Sequence, residues 1–288
     1  MLFRLCRFIA LSILKGFKKI MKFNGSKILK NYTIIDSHVH LGYLANLNMP
    51  SNSEDNIINL LKDCGIKKAI CAHHAALSTV EFGTGKLFES LSRYKGFLYG
   101  YLVFNPNFAE ISLDTIREYI GREEIVGVKI HPAWHLCYPT DSRYDKFWKF
   151  VEEENIVVLT HSWNPNVPNK AQKFSDPFLF ENIVKKYPDL KLILAHAGGR
   201  GQYLYKVIDL LKKYQNLYVD FAGDLFEPGI IERYVNSVGS ERLLFGTDMP
   251  WVDARYHVIN VLDSGIANKD KKNIFGLNAS RLFSIKAI

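Results

Sequence analysis

A chain of 288 residues with 48% hydrophobic and 23% charged residues can bury one large core and is too apolar for a disordered or fibrous protein. Its formal charge is +8, yet Arg4, Arg7, Lys15, Lys18, Lys19 and Lys22 carry six of those excess charges at the extreme N-terminus. The rest is close to neutral, which excludes a basic face for phosphate backbones, and no nucleic-acid partner is expected.

Basic and apolar residues alternate at helical spacing from Met1 to Lys22. Leu2, Phe3, Leu5, Ile9, Ile13, Phe17 and Ile20 fall largely opposite the charges, the pattern of an amphipathic helix lying on an anionic membrane surface. The longest uncharged run, Phe8 to Leu14, is too short to span a bilayer and no small-residue cleavage site follows it. Met21 is an alternative start, which would leave the upstream stretch untranslated. The expected organisation is a basic amphipathic extension over 1–22 and one domain over 23–288. The expected location is cytoplasmic, with peripheral membrane contact through the extension as the alternative. Cys6, Cys64, Cys71 and Cys137 lack CxxC spacing and read as free thiols in a reducing compartment.

The apolar run Tyr32-Thr33-Ile34-Ile35 leads into Asp36-Ser37-His38-Val39-His40. On an extended strand His38 and His40 share a face, about 7 Å apart, so both imidazoles can turn toward one ion. Ser53 then caps a predicted helix over 53–64, and a second strand follows at 68–74. Helices are predicted over 85–94, 108–121, 143–154, 177–187, 201–214, 228–238 and 253–263, with a terminal helix over 278–285. Between them lie short apolar strands at 96–104, 125–132, 156–161, 190–196, 217–221 and 242–248. Strands apolar on both faces, each followed by a helix, are parallel β/α units. Eight of them close into a (β/α)8 TIM barrel, an α/β fold whose chemistry sits at the carboxyl ends of the strands.

Polar residues stand at those ends: His38 and His40 on strand one, Lys129 and His131 on strand four, His161 on five, His196 on six and Asp248 on eight. A barrel gathers such ends around one mouth. Trp134, His135, Tyr138, Trp163 and Trp251 follow on the same loops and can wall a pocket, while Arg200 and Arg255 can hold a carboxylate. His73, His74 and His257 read as structural or exposed.

The segments Ile-Asp-Ser-His-Val-His, Gly-Val-Lys-Ile-His-Pro, Leu-Thr-His-Ser, Leu-Ala-His-Ala-Gly-Gly and Phe-Gly-Thr-Asp-Met-Pro, in that order, resemble the amidohydrolase superfamily. The amidohydrolase-related branch, which contains aminocarboxymuconate-semialdehyde decarboxylase-like enzymes, is the nearest match, and Asn278-Ala279-Ser280-Arg281-Leu282-Phe283 is similar to its closing helix. The likeness covers residues 33–285. It implies that His38, His40, His161 and Asp248 bind a divalent metal, expected to be Zn2+, with His196 and Asp248 as acid/base groups. One ion is expected. Two would follow if Lys129 were carboxylated and His161 and His196 both bound a second ion; Lys129, His131, Arg200, Trp134 and Trp163 are the candidates for second-metal or substrate contact. The lysine, where a bridging glutamate would stand, argues against a TatD-like nuclease.

The expected activity is a metal-dependent hydrolase in which an activated water cleaves an amide, ester or lactone-type bond of a small carboxylated molecule. The alternative is a metal-dependent non-oxidative decarboxylase or hydratase acting on an unsaturated or aromatic acid. A homo-oligomer is the expected assembly.

Overall fold

The apolar runs form eight parallel strands whose order in the sheet is their order in the chain. They are β1 (Ile34–Leu41), β2 (Ile66–His73), β3 (Leu98–Val103), β4 (Ile125–Ile130), β5 (Val157–Thr160), β6 (Lys191–Leu194), β7 (Leu217–Asp220) and β8 (Leu243–Leu244). The seam between last and first strand is closed by backbone bonds from Ser37 N to Phe245 O at 2.9 Å, His40 N to Met249 O at 2.7 Å and Asp248 N to His38 O at 2.8 Å. This is the expected TIM barrel. The computed structural model describes residues 29–43 and 53–286.

The chain separates into two compact units, Met1–Tyr32 and Thr33–Ile288, and the barrel is the second. The leader expected over 1–22, Cys6 with it, lies outside the described residues. Cys64, Cys71 and Cys137 are buried free thiols. Among the described residues no helix is long and apolar enough to cross a membrane.

The main helices outside the barrel are α1 (Glu54–Asp63), α2 (His74–Ser78), α3 (Val80–Arg93), α4 (Ala109–Tyr119), α5 (Pro132–His135), α6 (Asp145–Glu153), α7 (Glu181–Lys186), α8 (Gln202–Lys213), α9 (Ile230–Val238), α10 (Ala254–Asp263), α11 (Asn268–Lys272) and α12 (Asn278–Phe283). Ser53 caps α1 as expected, its hydroxyl accepting from Asn56 N at 3.4 Å. Inside the barrel, Ile35, Ile70, Leu159, Ile193 and Leu244 pack together, and Ala279 and Phe283 of α12 join the same core. Such burial of branched side chains is the main stabilising term, at roughly 25 cal/mol per Å² removed from water.

The helix expected over 177–187 is regular only over Glu181–Lys186, and α11 was not expected; two further departures bear on packing and on the site. The helix expected over 85–94 begins at Val80, preceded directly by α2. A Cβ on Gly83 would meet Ala76 backbone at 2.0 Å, so the glycine is what lets α3 pack against α2. The eighth strand, expected over 242–248, is regular only at Leu243–Leu244. Beyond it the chain bends at Asp248, which adopts a left-handed φ of 61°.

Candidate metal centre and pocket

The strand ends deliver a compact polar cluster. His38 Nε2 lies 3.2 Å from His40 Nε2. Asp248 Oδ1 lies 3.1 Å from His40 Nε2 and 3.5 Å from His38 Nε2. Lys129, wholly buried on β4, places Nζ 3.0 Å from His38 Nε2. These groups, 210 residues apart at the extremes, meet because β1 and the segment after β8 are barrel neighbours.

Tautomers follow from partners. His38 Nδ1 faces Asp220 Oδ2 at 2.9 Å, so it donates and leaves the Nε2 lone pair toward the cluster. His196 Nδ1 faces the Ala222 carbonyl at 3.0 Å and also donates, leaving Nε2 free to accept. Burial holds the His38, His40 and His196 imidazoles well below their ordinary range, with the Lys129 charge acting in the same direction, so all three are neutral. Burial also pushes Lys129 down to about 8, opposed by Asp220 and Asp248. The Asp248 carboxyl is pushed well above the usual carboxylate range by burial, with Lys129 pulling the other way.

Two neutral imidazole lone pairs and a carboxylate converging within hydrogen-bond distance suit a divalent cation, and His40 Nδ1 is buried without a partner. Among the described residues, the donor atoms of His38, His40 and Asp248 all lie within 4.8 Å of one another, as do those of His38, His196 and Asp220. In the second group His38 Nδ1 and Asp220 are already bonded to each other, so the first is the better cradle. His161 stands outside both groups, its Nε2 bonded to Gln172 Oε1 at 3.0 Å.

Above the cluster opens a cavity of about 450 Å³ to which His40, His161, His196 and Asp248 all contribute. One wall is a stack of flat rings: His131 on His161 with centroids 4.1 Å apart, then Trp163 at 6.1 Å. His74, which lines the same cavity, stacks on His40 at 4.7 Å and its Nε2 accepts from Trp251 Nε1 at 3.3 Å. His74, read from sequence as structural or exposed, is therefore a pocket residue; it looked idle because it follows β2 at the start of α2. Trp134 lines the same cavity and donates to Ser78 Oγ at 3.3 Å.

Other candidates stand elsewhere. Arg200 is half-exposed, paired with Asp224 and over the Trp163 ring at 6.0 Å. Arg255 is held by Asp253 at the start of α10. His131 Nδ1 caps α5 by accepting from Trp134 N at 3.1 Å. His135 Nε2 donates to Leu77 O at 2.9 Å, a packing role. Tyr138 packs on Phe174 at 4.6 Å.

Sequence reasoning missed Asp220, Asp36 and Gln172. Asp36 ties β1 to the segment after β8, accepting from Thr247 Oγ1 at 2.6 Å, and burial raises it to about 7. Asp220 carried the same signal as Asp248, a carboxylate closing an apolar strand, and was legible on that ground.

A family model described as Amidohydrolase matches residues 35–285. The chain belongs to the amidohydrolase family. This amidohydrolase is 26% identical over 203 residues to the 2-amino-3-carboxymuconate-6-semialdehyde decarboxylase of Caenorhabditis elegans, across 62% of this chain and 47% of that protein. It is 22% identical over 182 residues to the gamma-resorcylate decarboxylase of Polaromonas sp. (strain JS666), across 50% of this chain and 55% of that protein. The chain spans about half the length of the curated relatives it matches. A crystal structure of 5-carboxyvanillate decarboxylase from Novosphingobium aromaticivorans, complexed with manganese and 4-hydroxy-3-methoxy-5-nitrobenzoic acid, superposes with a TM-score of 0.71. It is 17% identical and covers 92% of this chain and 99% of its own, a likeness of fold.

The resemblance read from the motifs therefore holds, and the protein is an enzyme of the amidohydrolase superfamily. The hydrolase expected from the sequence is overturned: both curated relatives are decarboxylases. The reason is physical. The motifs specify a metal-competent mouth on a barrel, and the same mouth serves either chemistry.

Proposed function

We propose that this amidohydrolase-family enzyme is a divalent-metal-dependent, non-oxidative decarboxylase of a small, flat aromatic carboxylic acid. The observation that carries the reading is the His38, His40 and Asp248 cluster at the base of a cavity walled by parallel rings. His38, His40 and Asp248 would hold the ion, with His161 the fourth candidate. Bound there, the cation supplies positive charge for the substrate carboxylate; Zn2+ and Mn2+ both suit two imidazoles and a carboxylate.

The pocket composition supports this assignment. Among the described residues that line it there is no lysine or arginine, so an entering carboxylate finds its countercharge only at the ion and at Lys129 beneath. A volume of about 450 Å³ suits a single substituted ring. The stacked rings of His131, His161 and Trp163, with His74 and Trp251, line the cavity and would exclude water from an aromatic substrate.

In the reaction the bond between ring carbon and carboxyl carbon breaks, carbon dioxide leaves, and the ring carbon gains a proton. Asp248, which lines the cavity beside the ion's place, is the group positioned to pass a proton from solvent to the ring carbon. His196 Nε2, with Nδ1 committed to Ala222, accepts a hydrogen bond from a ring hydroxyl and orients it. The test is carbon dioxide release from a panel of hydroxylated benzoic acids by protein supplied with Mn2+ or Zn2+. Release abolished by chelation and restored by metal is expected. Hydrolysis of amide or lactone substrates without any carbon dioxide release would overturn the reading.

A further inference from the structure

We propose that Asp220 is the positioning residue that makes His38 a metal ligand and His196 a pocket residue at once, an inference that rests on the metal-dependent reading above. Its carboxylate closes β7 and is wholly buried. One oxygen meets His38 Nδ1 at 2.9 Å. The other accepts from His196 N at 2.7 Å and from Ala222 N at 3.1 Å.

With Asp220 Oδ2 accepting from it, His38 carries its proton on Nδ1 and offers Nε2 as a lone pair. That lone pair is the one facing His40 and Asp248. The second oxygen acts on backbone. His196 has φ 59° and ψ 24°, a left-handed conformation that an ordinary side chain adopts only when something fixes it. The hydrogen bond that its backbone N–H donates to Asp220 Oδ1 fixes it, and the ring lies with its centroid 5.0 Å from that of His38.

The contact runs across the end of β8, and Gly246 is what allows it. A Cβ there would stand 2.9 Å from His38 Cβ, 3.0 Å from Ala222 Cβ and 3.6 Å from Asp220 Cβ. With no side chain at 246, the imidazole of β1 and the carboxylate of β7 meet through the gap.

Asp220→Asn isolates the role. The amide oxygen still accepts from His196 N and Ala222 N, so the turn is kept. The amide nitrogen, however, now donates toward His38 Nδ1, which moves the imidazole proton to Nε2, where it blocks a ligand position. The experiment has two readouts, neither of them activity. In metal-free protein, 15N chemical shifts of His38 report its tautomer: Nδ1-protonated in the wild type, Nε2-protonated in the Asn variant. Zn2+ titration against a chromophoric chelator should show affinity falling about 10- to 100-fold in the variant.

Nε2 protonation in wild-type His38, or Zn2+ affinity in Asp220→Asn within twofold of wild type, would overturn the proposal. If the Asn variant does not fold, Lys129→Met carries the test: with the amine beside Nε2 gone, His38 should stay Nδ1-protonated through Asp220, and a switch to Nε2 would overturn the proposal. Because no substrate enters, loss of the decarboxylase reading would show separately, as absent carbon dioxide release with the tautomer and affinity results intact.

Discussion

Gly223→Ala puts a number on how tightly the pocket imidazole of His196 is held. Gly223 follows β7 with φ at +81°, and a Cβ built on it would lie 2.6 Å from His196 Nδ1 and 3.5 Å from Asp248 Oδ2. The second contact is ordinary and the first is not. Restoring an ordinary separation of 3.4 Å requires the imidazole to move 0.8 Å, which breaks the bond from Nδ1 to Ala222 O. Misplacement of a reacting group by about 1 Å costs roughly 100-fold, so 0.8 Å costs about 40-fold, or about 2.2 kcal/mol in the activation barrier. The left-handed backbone adds about 1–2 kcal/mol of destabilisation, a drop of a few degrees in Tm for a chain this size. The metal ligands are untouched, so metal content should stay at the wild-type level. The assay combines carbon dioxide release, metal analysis and a thermal melt on the purified variant. Wild-type turnover in Gly223→Ala would refute the claim that His196 is positioned by this contact.

Other substitutions separate the remaining roles. His40→Ala should lose metal and turnover together, whereas His196→Ala should keep the metal and lose turnover, both read by metal analysis beside the activity assay; complete metal loss in His196→Ala would point to a two-ion site. Trp163→Ala opens the flat wall beside His161 and His196 and should raise KM about 3- to 10-fold with little change in kcat. Acid should destabilise the fold through buried neutral histidines. His135 and His257 are held at about 4 against an ordinary value of 6.5, chiefly by burial. Above 6.5 neither state is protonated and full stability is present. As pH falls from 6.5 toward 4 the unfolded chain takes the protons first, so stability is lost across that window. A Tm that fails to fall over it would contradict the assigned burial.

The barrel was legible because two-face-buried strands leave unmistakable apolar runs, and helical segments separate each from the next. His38, His40, His196 and Asp248 were legible for a related reason: a polar side chain ending an apolar strand has one face to serve, the mouth. Asp220 met the same criterion but is bonded to groups 182 and 24 residues away, and no local pattern announces such partners. His74 was opaque because its value comes from stacking on His40, a contact made by two different units of the barrel. Arg200 shows the converse: a guanidinium near the mouth in sequence is taken up by Asp224 in space. The motifs do not distinguish the proposed decarboxylation from hydrolysis, since that choice depends on pocket shape and on where one proton is delivered.

Anomalous diffraction from crystals grown with Mn2+ tests the central claim most directly. One peak per chain, touching His38, His40 and Asp248 at the base of the ring-walled cavity, is the expected result. A protein that takes up no Mn2+ or Zn2+ there, or that binds it only at other residues, would contradict the account.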